Sequence, residues 1–425
     1  MYNGLVACVS LGGIRMSKNG QYEDVRRRMI WSTVAALSLF FLLPSFVVCA
    51  APLARENLLG VKEGWAWPVV VCPPPTGWES PRGEAIKLGL RAAERELSLQ
   101  RKAIRGKEAT FMFSSARSSM ELAERLETWR AMKVAVILSF SGEAYDETLV
   151  RLCASRGPSV IFANGEGLVI KESATGKPYP YLFALDLHYY ARANALSELA
   201  LRERPLKKVA VITDPMSVKL AKGADLNAAF LKSRGLETLF LSVSGLQQDR
   251  FEPQLKDVET GGIRVVTSWL DAMATLSIWK TLSQFSNGSK VYYAGRRQRI
   301  LMDAENLVLV DKDVLLERNE AGRHGIIVKI RDFFDKTTKD PVLSAKAYAL
   351  GRWVIKGYID SRSSDAPSIS RALAQVRDIP LMDEMLAVDP RTHRPKSRRF
   401  GVLRIASNLY KSDGHVEVFS VESGE

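Results

Sequence analysis

Histidine and cysteine are scarce in this chain of 425 residues, which contains four of each. The histidines, His188, His324, His393 and His415, have no Cys or acidic residues beside them at metal-ligand spacing. No glycine-rich phosphate loop follows the first apolar run, which continues as the proline-rich CPPPTGWESPRG, and no G-x-S-x-G motif occurs. The sequence therefore predicts no metal, no cofactor and no enzymatic activity.

The N-terminus has the pattern of an exported protein. Arg26–Arg28 precede the apolar run Met29–Leu43, and small residues follow up to Ala50. This order predicts a signal peptide with an N-terminal extension over residues 1–50, cleavage after Ala50 and a periplasmic location. The alternatives are an uncleaved membrane anchor, because the run approaches the length of a spanning helix, and a true start at Met16.

Only Cys72 and Cys153 remain after such cleavage. Exported cysteines can pair. However, Cys72 is expected at the carboxyl end of a strand, and Cys153 about ten residues along a helix that leads away, on the order of 15 Å apart. We therefore expect two free thiols.

The net charge is +13, but the basic residues are spread along the chain, which favours a solvated surface and predicts no nucleic-acid partner.

Short apolar runs alternate with amphipathic helical stretches. Continuous apolar strands of this kind predict parallel sheets covered by helices on both faces. The strand–helix–strand unit Pro180–Asp214 is interpreted as the point where the chain leaves one α/β lobe and begins another. The predicted strands are Val69–Cys72, Thr110–Phe113, Val134–Leu138, Val160–Ala163, Leu182–Leu185, Val209–Ile212, Thr238–Val243, Ile263–Thr267, Val291–Ala294 and Leu307–Val310.

The C-terminal part has a different pattern. Ala345–Asp360 predicts a long helix and Ser368–Val376 a second one. Arg391–Arg399 is interpreted as a basic loop without periodicity. Phe400–Ala406 and Val416–Val421 predict an antiparallel hairpin.

In open parallel sheets, ligands bind beyond the carboxyl ends of the strands. Ser139, Ser141 and Gly142 follow one predicted strand and offer hydroxyls and a backbone N–H at a helix start, which suits a carboxylate. Gly165 and Gly167 follow the next strand and permit close backbone approach. Ordinary turns are the alternative for each loop.

Further candidates lie on other loops of the same kind. Trp78 and Trp269 are predicted to contact a ligand as loop aromatics. His188 lies in the segment between the lobes and is either a ligand contact or a polar rim residue. Asp214 is either a ligand acceptor or a helix cap, and Arg296 either contacts the ligand or is solvated.

Several segments resemble the type I periplasmic binding proteins, specifically the branched-chain amino acid (Leu/Ile/Val) binding subfamily of ABC-transporter receptors. The most specific is LKKVAVITD, Leu206–Asp214. The similarity lies in the order and spacing of elements and covers nearly all of the mature chain. The other segments are Pro74–Gly77, Thr128–Gly142, Tyr348–Gly357 and Arg399–Phe419.

The resemblance implies two similar doubly wound parallel-sheet lobes joined by a three-crossing hinge. Lobe one is then residues 55–185 and 325–400, and lobe two is residues 186–324 and 401–425. The implied protein is a monomeric receptor that closes on a small-molecule ligand and presents it to an ABC permease in the membrane. A membrane-anchored sensor is the alternative, and an enzyme is a more distant one.

The resemblance also implies a binding site, with departures. The family holds a side chain with aromatics and an amino group with acids, but here Val218 replaces an aromatic residue and Arg296 replaces an acid. The acidic position of the first crossing falls on Tyr189, with Asp186 close by. A carboxylate, amide or other anionic solute therefore fits better than an amino acid. The implied carboxylate contacts are Ser141, Gly142, Gly165 and Gly167.

Overall fold

A computed structural model gives the structure of the chain. The leader and the alternative start predicted within residues 1–50 lie outside the residues it describes. The described residues are 66–99, 108–116, 118–165, 168–185, 189–203, 205–243, 251–286, 288–295, 301, 304, 307–311, 338–381, 384–396, 399–404 and 416–420.

The first sheet contains five parallel strands in the order β2-β1-β3-β4-β5. Successive side chains of a strand face opposite sides. Val69 and Val71 accordingly pack into one core, while Val70 and Cys72 pack into the other. Apolar residues on both faces explain why the strands read as continuous runs in the sequence. The strands are β1 Ala66–Cys72, β2 Glu108–Phe113, β3 Val136–Ser139, β4 Ser159–Phe162 and β5 Leu182–Ala184.

Helices cover both faces of this sheet. Helices α1 and α8 lie very close together, because a Cβ on Gly89 of α1 would stand 2.2 Å from the backbone oxygen of Ser344 in α8. The helices α2 and α3 cover the other face with Leu122, Leu126 and Leu149. The bounds are α1 Pro81–Leu99, α2 Ser119–Ala131, α3 Glu143–Cys153, α8 Pro341–Ser361 and α9 Ala366–Leu373.

The second sheet contains seven strands in the order β15-β14-β10-β9-β8-β6-β7. Strands β6 to β10 are parallel, and β14 and β15 extend the sheet in antiparallel fashion. One face is covered by α4 and α5 and the other by α6 and α7. The bounds are α4 Tyr189–Leu201, β6 Lys208–Thr213, α5 Val218–Ser233, β7 Glu237–Ser242, α6 Glu252–Thr260, β8 Val265–Trp269, α7 Ala272–Leu282, β9 Lys290–Tyr293, β10 Leu307–Asp311, β14 Arg399–Arg404 and β15 Val416–Ser420.

A small antiparallel sheet, β11 Ile379–Leu381, β12 Glu384–Asp389 and β13 Arg394–Lys396, follows α9. Counted between described elements, the chain passes from one large sheet to the other three times, from β5 to α4, from β10 to α8 and from β13 to β14. Two α/β lobes joined by three crossings are the predicted fold class, which is thereby confirmed.

The predicted strands are all present, with ends shifted by a few residues. The basic segment Arg391–Arg399 was wrongly predicted to be a loop throughout, because its middle forms β13 and its last residue begins β14. The thiols of Cys72 and Cys153 are both free and buried, as expected. Within the described ranges, no helix combines the length and apolar composition required to cross a bilayer.

Candidate functional site

The loop after β3 is fixed by its two serines. Ser139 ends β3, is fully buried, and donates its hydroxyl hydrogen to the carboxylate of Asp146 in α3 at 2.5 Å. Ser141 donates its own to the carbonyl of Pro73, in the loop after β1, at 2.7 Å. Both hydroxyl hydrogens are therefore used within lobe one, and the second hydrogen bond joins two neighbouring loops at the carboxyl edge of the sheet.

The start of α3 is open to an acceptor from outside the helix. Its N-cap is Gly142, which has no side chain to accept from the first-turn N–H groups. The nearest atom to a Cβ built on Gly142 is Cγ of Pro75, 3.6 Å away, so space remains beside the N-cap. Uncapped N–H groups and the positive end of the helix dipole favour an anion at this point.

The loop after β4 is the neighbour of the serine loop, since β3 and β4 pair in parallel. Gly165 packs so closely on β5 that a Cβ would stand 2.5 Å from that of Ala184. Only glycine fits there without displacing the strand. Gly167, the second predicted glycine of this loop, lies outside the described residues.

Two residues of the segment predicted to be a basic loop contact this region. Arg394 is buried and donates from Nη2 to the carbonyls of Gly165 and Leu168, both at 3.1 Å. His393 is also buried, and its ring stacks on Phe183 of β5 with centroids 4.4 Å apart. The short apolar run Met385–Val388, followed by a polar turn, was the available signal for a strand here.

Burial lowers the pKa of His393, with Nδ1 at 3.0 Å from the carbonyl of Leu182 acting in the opposite direction. Between the lowered native pKa and the unfolded value of about 6.5, the unfolded chain binds more protons, so this contribution to stability is lost as the pH falls below about 6.5. We expect His393→Asn to flatten the pH dependence of the free energy of unfolding between pH 7 and pH 5, measured by urea denaturation.

A matched control comes from the backbone. His393 and Lys133 both have positive φ, 53° and 56°, a region that asparagine tolerates. Lys133→Asn should therefore keep the wild-type slope. The same slope in His393→Asn as in the wild type would contradict the assignment of this pH dependence to His393.

The predicted aromatic contacts have different surroundings. Trp78 is half-buried, donates its indole N–H to the carbonyl of Ser114 at 2.6 Å, and packs edge-on against Phe113. Trp269 is not on a loop: it ends β8, is 0% exposed, and donates to Oδ1 of Asn227 at 3.2 Å. Its position supports the packing of lobe two and gives no support to a ligand contact.

At the carboxyl edge of the second sheet, Asp214 accepts a hydrogen bond from the N–H of Met216 at 2.9 Å, which forms a local turn. The N-cap of α5 is Ser217, so Asp214 closes the turn before the helix and is not its cap. Exposed apolar side chains follow the adjacent strands β6 and β8: Met216 lies in the loop after β6, and Val218 and Met273 lie in the first turns of α5 and α7. Asp186, His188 and Arg296, and the side chain of Tyr189 at the start of α4, lie outside the description.

Neither of the two described cysteines is an activated nucleophile. Burial raises the pKa of Cys72 and of Cys153 to about 12, so both thiols remain protonated and are poor nucleophiles at neutral pH. Among the described residues, no three His, Cys, Asp or Glu side chains come close enough together to hold a metal ion.

A surface cavity of about 310 Å³ lies elsewhere on lobe one. It is lined by Pro180 and Tyr181, which precede β5, and by residues of α9 such as Arg371. The amino end of β5 is opposite to the edge at which the serine and glycine loops meet. The cavity therefore lies apart from these two loops, although His393, which packs on β5, also lines it.

Two doubly wound lobes with three crossings define the type I periplasmic binding protein fold, and solved structures bear this out. No protein-family model and no curated protein matches the sequence. A branched-chain amino acid ABC transporter periplasmic ligand-binding protein from Burkholderia xenovorans LB400 has 11% identity and a TM-score of 0.65, over 83% of this chain and 94% of its own.

Two further structures contain ligands. The ABC transporter solute-binding protein of R. palustris, in complex with benzoate, has 14% identity and a TM-score of 0.55, over 84% of this chain and 96% of its own. The ABC transporter substrate-binding protein of Desulfitobacterium hafniense, in complex with Leu, has 10% identity and a TM-score of 0.59, over 83% of this chain and 100% of its own. The predicted resemblance is confirmed at the level of the fold.

Proposed function

We propose that the protein is an exported solute receptor of an ABC importer, and that it binds a small carboxylate between its two lobes. The observation that carries this proposal is the open N-terminus of α3, where Gly142 supplies no cap at the carboxyl edge of the first sheet. Lobe closure would bury the solute, and the crossings would absorb the rotation. The protein acts as a monomer, is not an enzyme, and delivers its solute to a membrane permease.

The proposed lobes are residues 55–185 with 325–400, and 186–324 with 401–425. The pairing of β14 with β10 and the packing of α8 on α1 support this division, because each later segment joins an earlier one. Arg399 and Phe400 pair with β15 and therefore belong with lobe two. We also propose cleavage of the leader after Ala50. Mass measurement of the N-terminal peptide of the exported protein tests that site, and an intact Met29–Leu43 segment would favour the membrane-anchored sensor.

Two observations support a small carboxylate with an apolar body as the solute. Benzoate and Leu, the ligands of two proteins with the same fold, share a carboxylate. On lobe two, Met216 and Val218 are 77% and 79% exposed at the carboxyl edge of the sheet, where an apolar part of a solute could pack. A small carboxylate with an apolar body suits both features.

A thermal-shift experiment with matched pairs tests the carboxylate. Benzoate is compared with benzamide, and L-leucine with L-leucinamide, because a ligand that binds the native state raises its apparent stability. We expect a shift with at least one carboxylate and none with its amide. Equal shifts within a pair would contradict a carboxylate site, and the absence of any shift would contradict the proposed solutes.

A single substitution can separate binding from stability at this site. Gly142→Asp is expected to stabilise α3 by about 0.5–1 kcal/mol, because aspartate is a favourable N-cap residue and the added Cβ has space. The same carboxylate would occupy the anion position and repel an anionic solute. Affinity for the carboxylate found in the screen, measured by calorimetry, should fall at least tenfold.

Gly142→Ala is the matched control, since it adds the Cβ without the charge. Its affinity should remain within about threefold of the wild type, and α3 should be slightly less stable. Full affinity in Gly142→Asp would place the solute elsewhere.

A further inference from the structure

The buried arginine of β13 is the strongest polar feature of lobe one that the proposed function leaves unused. Arg394 is 6% exposed, whereas arginines are mostly found at the surface. A buried guanidinium persists only where its N–H groups have acceptors. One nitrogen of Arg394 serves the carbonyls of Gly165 and Leu168, both at 3.1 Å.

These two carbonyls stand at the two ends of one turn. The N–H of Leu168 also donates to the carbonyl of Gly165 at 3.1 Å, so that carbonyl accepts from both the turn and Arg394. The guanidinium therefore contacts both ends of this turn, which lies at the start of the segment that follows β4. Nη2 carries two N–H hydrogens, and the planar guanidinium fork holds them in fixed directions that suit two acceptors at fixed positions.

The residue before Arg394 fixes the hairpin to the neighbouring strand. The N–H of Ala184 in β5 donates to the carbonyl of His393 at 3.2 Å, and the His393 ring stacks on Phe183. Gly165 in turn packs directly on Ala184. The glycine loop, β5 and the β12–β13 hairpin thus form one continuous set of contacts.

These contacts lie next to two of the crossings between the lobes. Strand β5 is the last element before the crossing to α4, and β13 is the last before the crossing to β14. The loop after β4 is therefore joined, through Arg394, to the two strands from which the chain enters lobe two.

We propose that Arg394 is a positioning residue that holds the loop after β4 against β5 and β13, so that a solute at this loop acts on two of the three crossings. The proposal rests on the proposed function for the role of the loop. Its structural part is tested without any solute, and its failure can therefore be distinguished from failure of the proposed function.

Hydrogen exchange in the purified protein tests whether Arg394 holds the turn Gly165–Leu168 in place. Arg394→Met removes the charge and the donors at similar length, and Arg394→Lys keeps the charge without the fork. Arg391→Met is the matched control, because the Arg391 side chain is exposed in the turn between β12 and β13. In Arg394→Met we expect the Leu168 amide to exchange at least tenfold faster and the β1 amides to remain unchanged. Arg394→Lys should be intermediate, and Arg391→Met should match the wild type.

Affinity for benzoate and for L-leucine, measured by calorimetry, tests the role in binding. The carboxylate that the wild type binds should bind at least fivefold more weakly to Arg394→Met and be partly rescued in Arg394→Lys. Unchanged exchange at Leu168, equally faster exchange throughout lobe one, or unchanged affinity despite faster loop exchange would each overturn the proposal. If the wild type binds neither probe, or if Arg394→Met does not fold, exchange of the Leu168 amide in Arg394→Lys decides the question. Faster exchange confined to this turn supports the proposal, and exchange at the wild-type rate overturns it.

Discussion

Replacing Gly89 by valine is expected to destabilise lobe one by about 3 kcal/mol or more. A Cβ at this position would stand 2.2 Å from the carbonyl oxygen of Ser344 and 2.8 Å from Cβ of Ala347. Both belong to α8, whose backbone cannot rotate away as a long side chain could. The helices would have to separate, and the apolar contacts between them would be lost.

Gly89→Ala decides which of two opposing effects is larger. Alanine is favoured over glycine inside a helix by about 1 kcal/mol. Overpacking of a closely packed site costs about 1–3 kcal/mol. Since the overlap is with backbone, we expect a net loss of stability, measured as a lower urea midpoint by circular dichroism. Arg91→Ala, on the exposed face of the same helix, is the control and should change little.

A second pair of small residues across the same interface provides a rescue experiment. A Cβ on Gly351 would stand 2.8 Å from Cβ of Ala93. Exchanging the methyl group between the helices, as Gly351→Ala with Ala93→Gly, should be less destabilising than the sum of the single changes. Additive losses in this pair, or a stable Gly89→Val protein, would contradict the close approach of α1 and α8.

The sequence was sufficient for the parallel sheets because most of their strands are buried on both faces. Runs such as Val69–Cys72 contain no polar residue to confuse helix with strand, and turn residues bound them. The glycines of α1 and α8 gave no comparable signal, since a glycine inside a helical pattern reads as a weak position until its neighbour is known. The close contact of Gly89 with Ser344 joins residues more than 250 positions apart.

The candidate site could be predicted only in part. Ser139, Ser141, Gly142 and Gly165 do come together on neighbouring loops, because parallel strands bring their carboxyl ends to one edge. Arg394 could not be found from composition, because a basic stretch is normally a solvated one and nothing local shows that its guanidinium is buried. The guanidinium can be buried because its hydrogen-bond acceptors come from a loop more than 200 residues earlier in the chain.

The apolar run predicts a strand that ends at Thr267, which puts Trp269 on a loop. Ser268 is polar but fully buried, with its hydroxyl 2.8 Å from that of Thr275. A satisfied polar residue therefore continues β8 by two positions, and Trp269 enters the core instead of the cleft.

Replacing Trp269 by alanine is accordingly expected to cost about 3–5 kcal/mol, the usual range for a fully buried large aromatic residue. The ring lies directly over Gly223, where a Cβ would stand 2.1 Å from its nearest atom. Its N–H satisfies Oδ1 of Asn227, whose Nδ2 donates to Ser197 at 2.7 Å. Truncation would leave a cavity between β8, α4 and α5 and also an unpaired buried amide oxygen.

Trp269→Phe separates these two effects and tests the alternative role. It keeps most of the ring and loses the N–H, so we expect a smaller loss of about 1–3 kcal/mol, measured by urea denaturation. Affinity for the carboxylate identified by thermal shift should remain within about threefold of the wild type. A large loss of affinity with unchanged stability would instead show that Trp269 contacts the solute, because a side chain that only packs cannot affect binding while leaving the core intact.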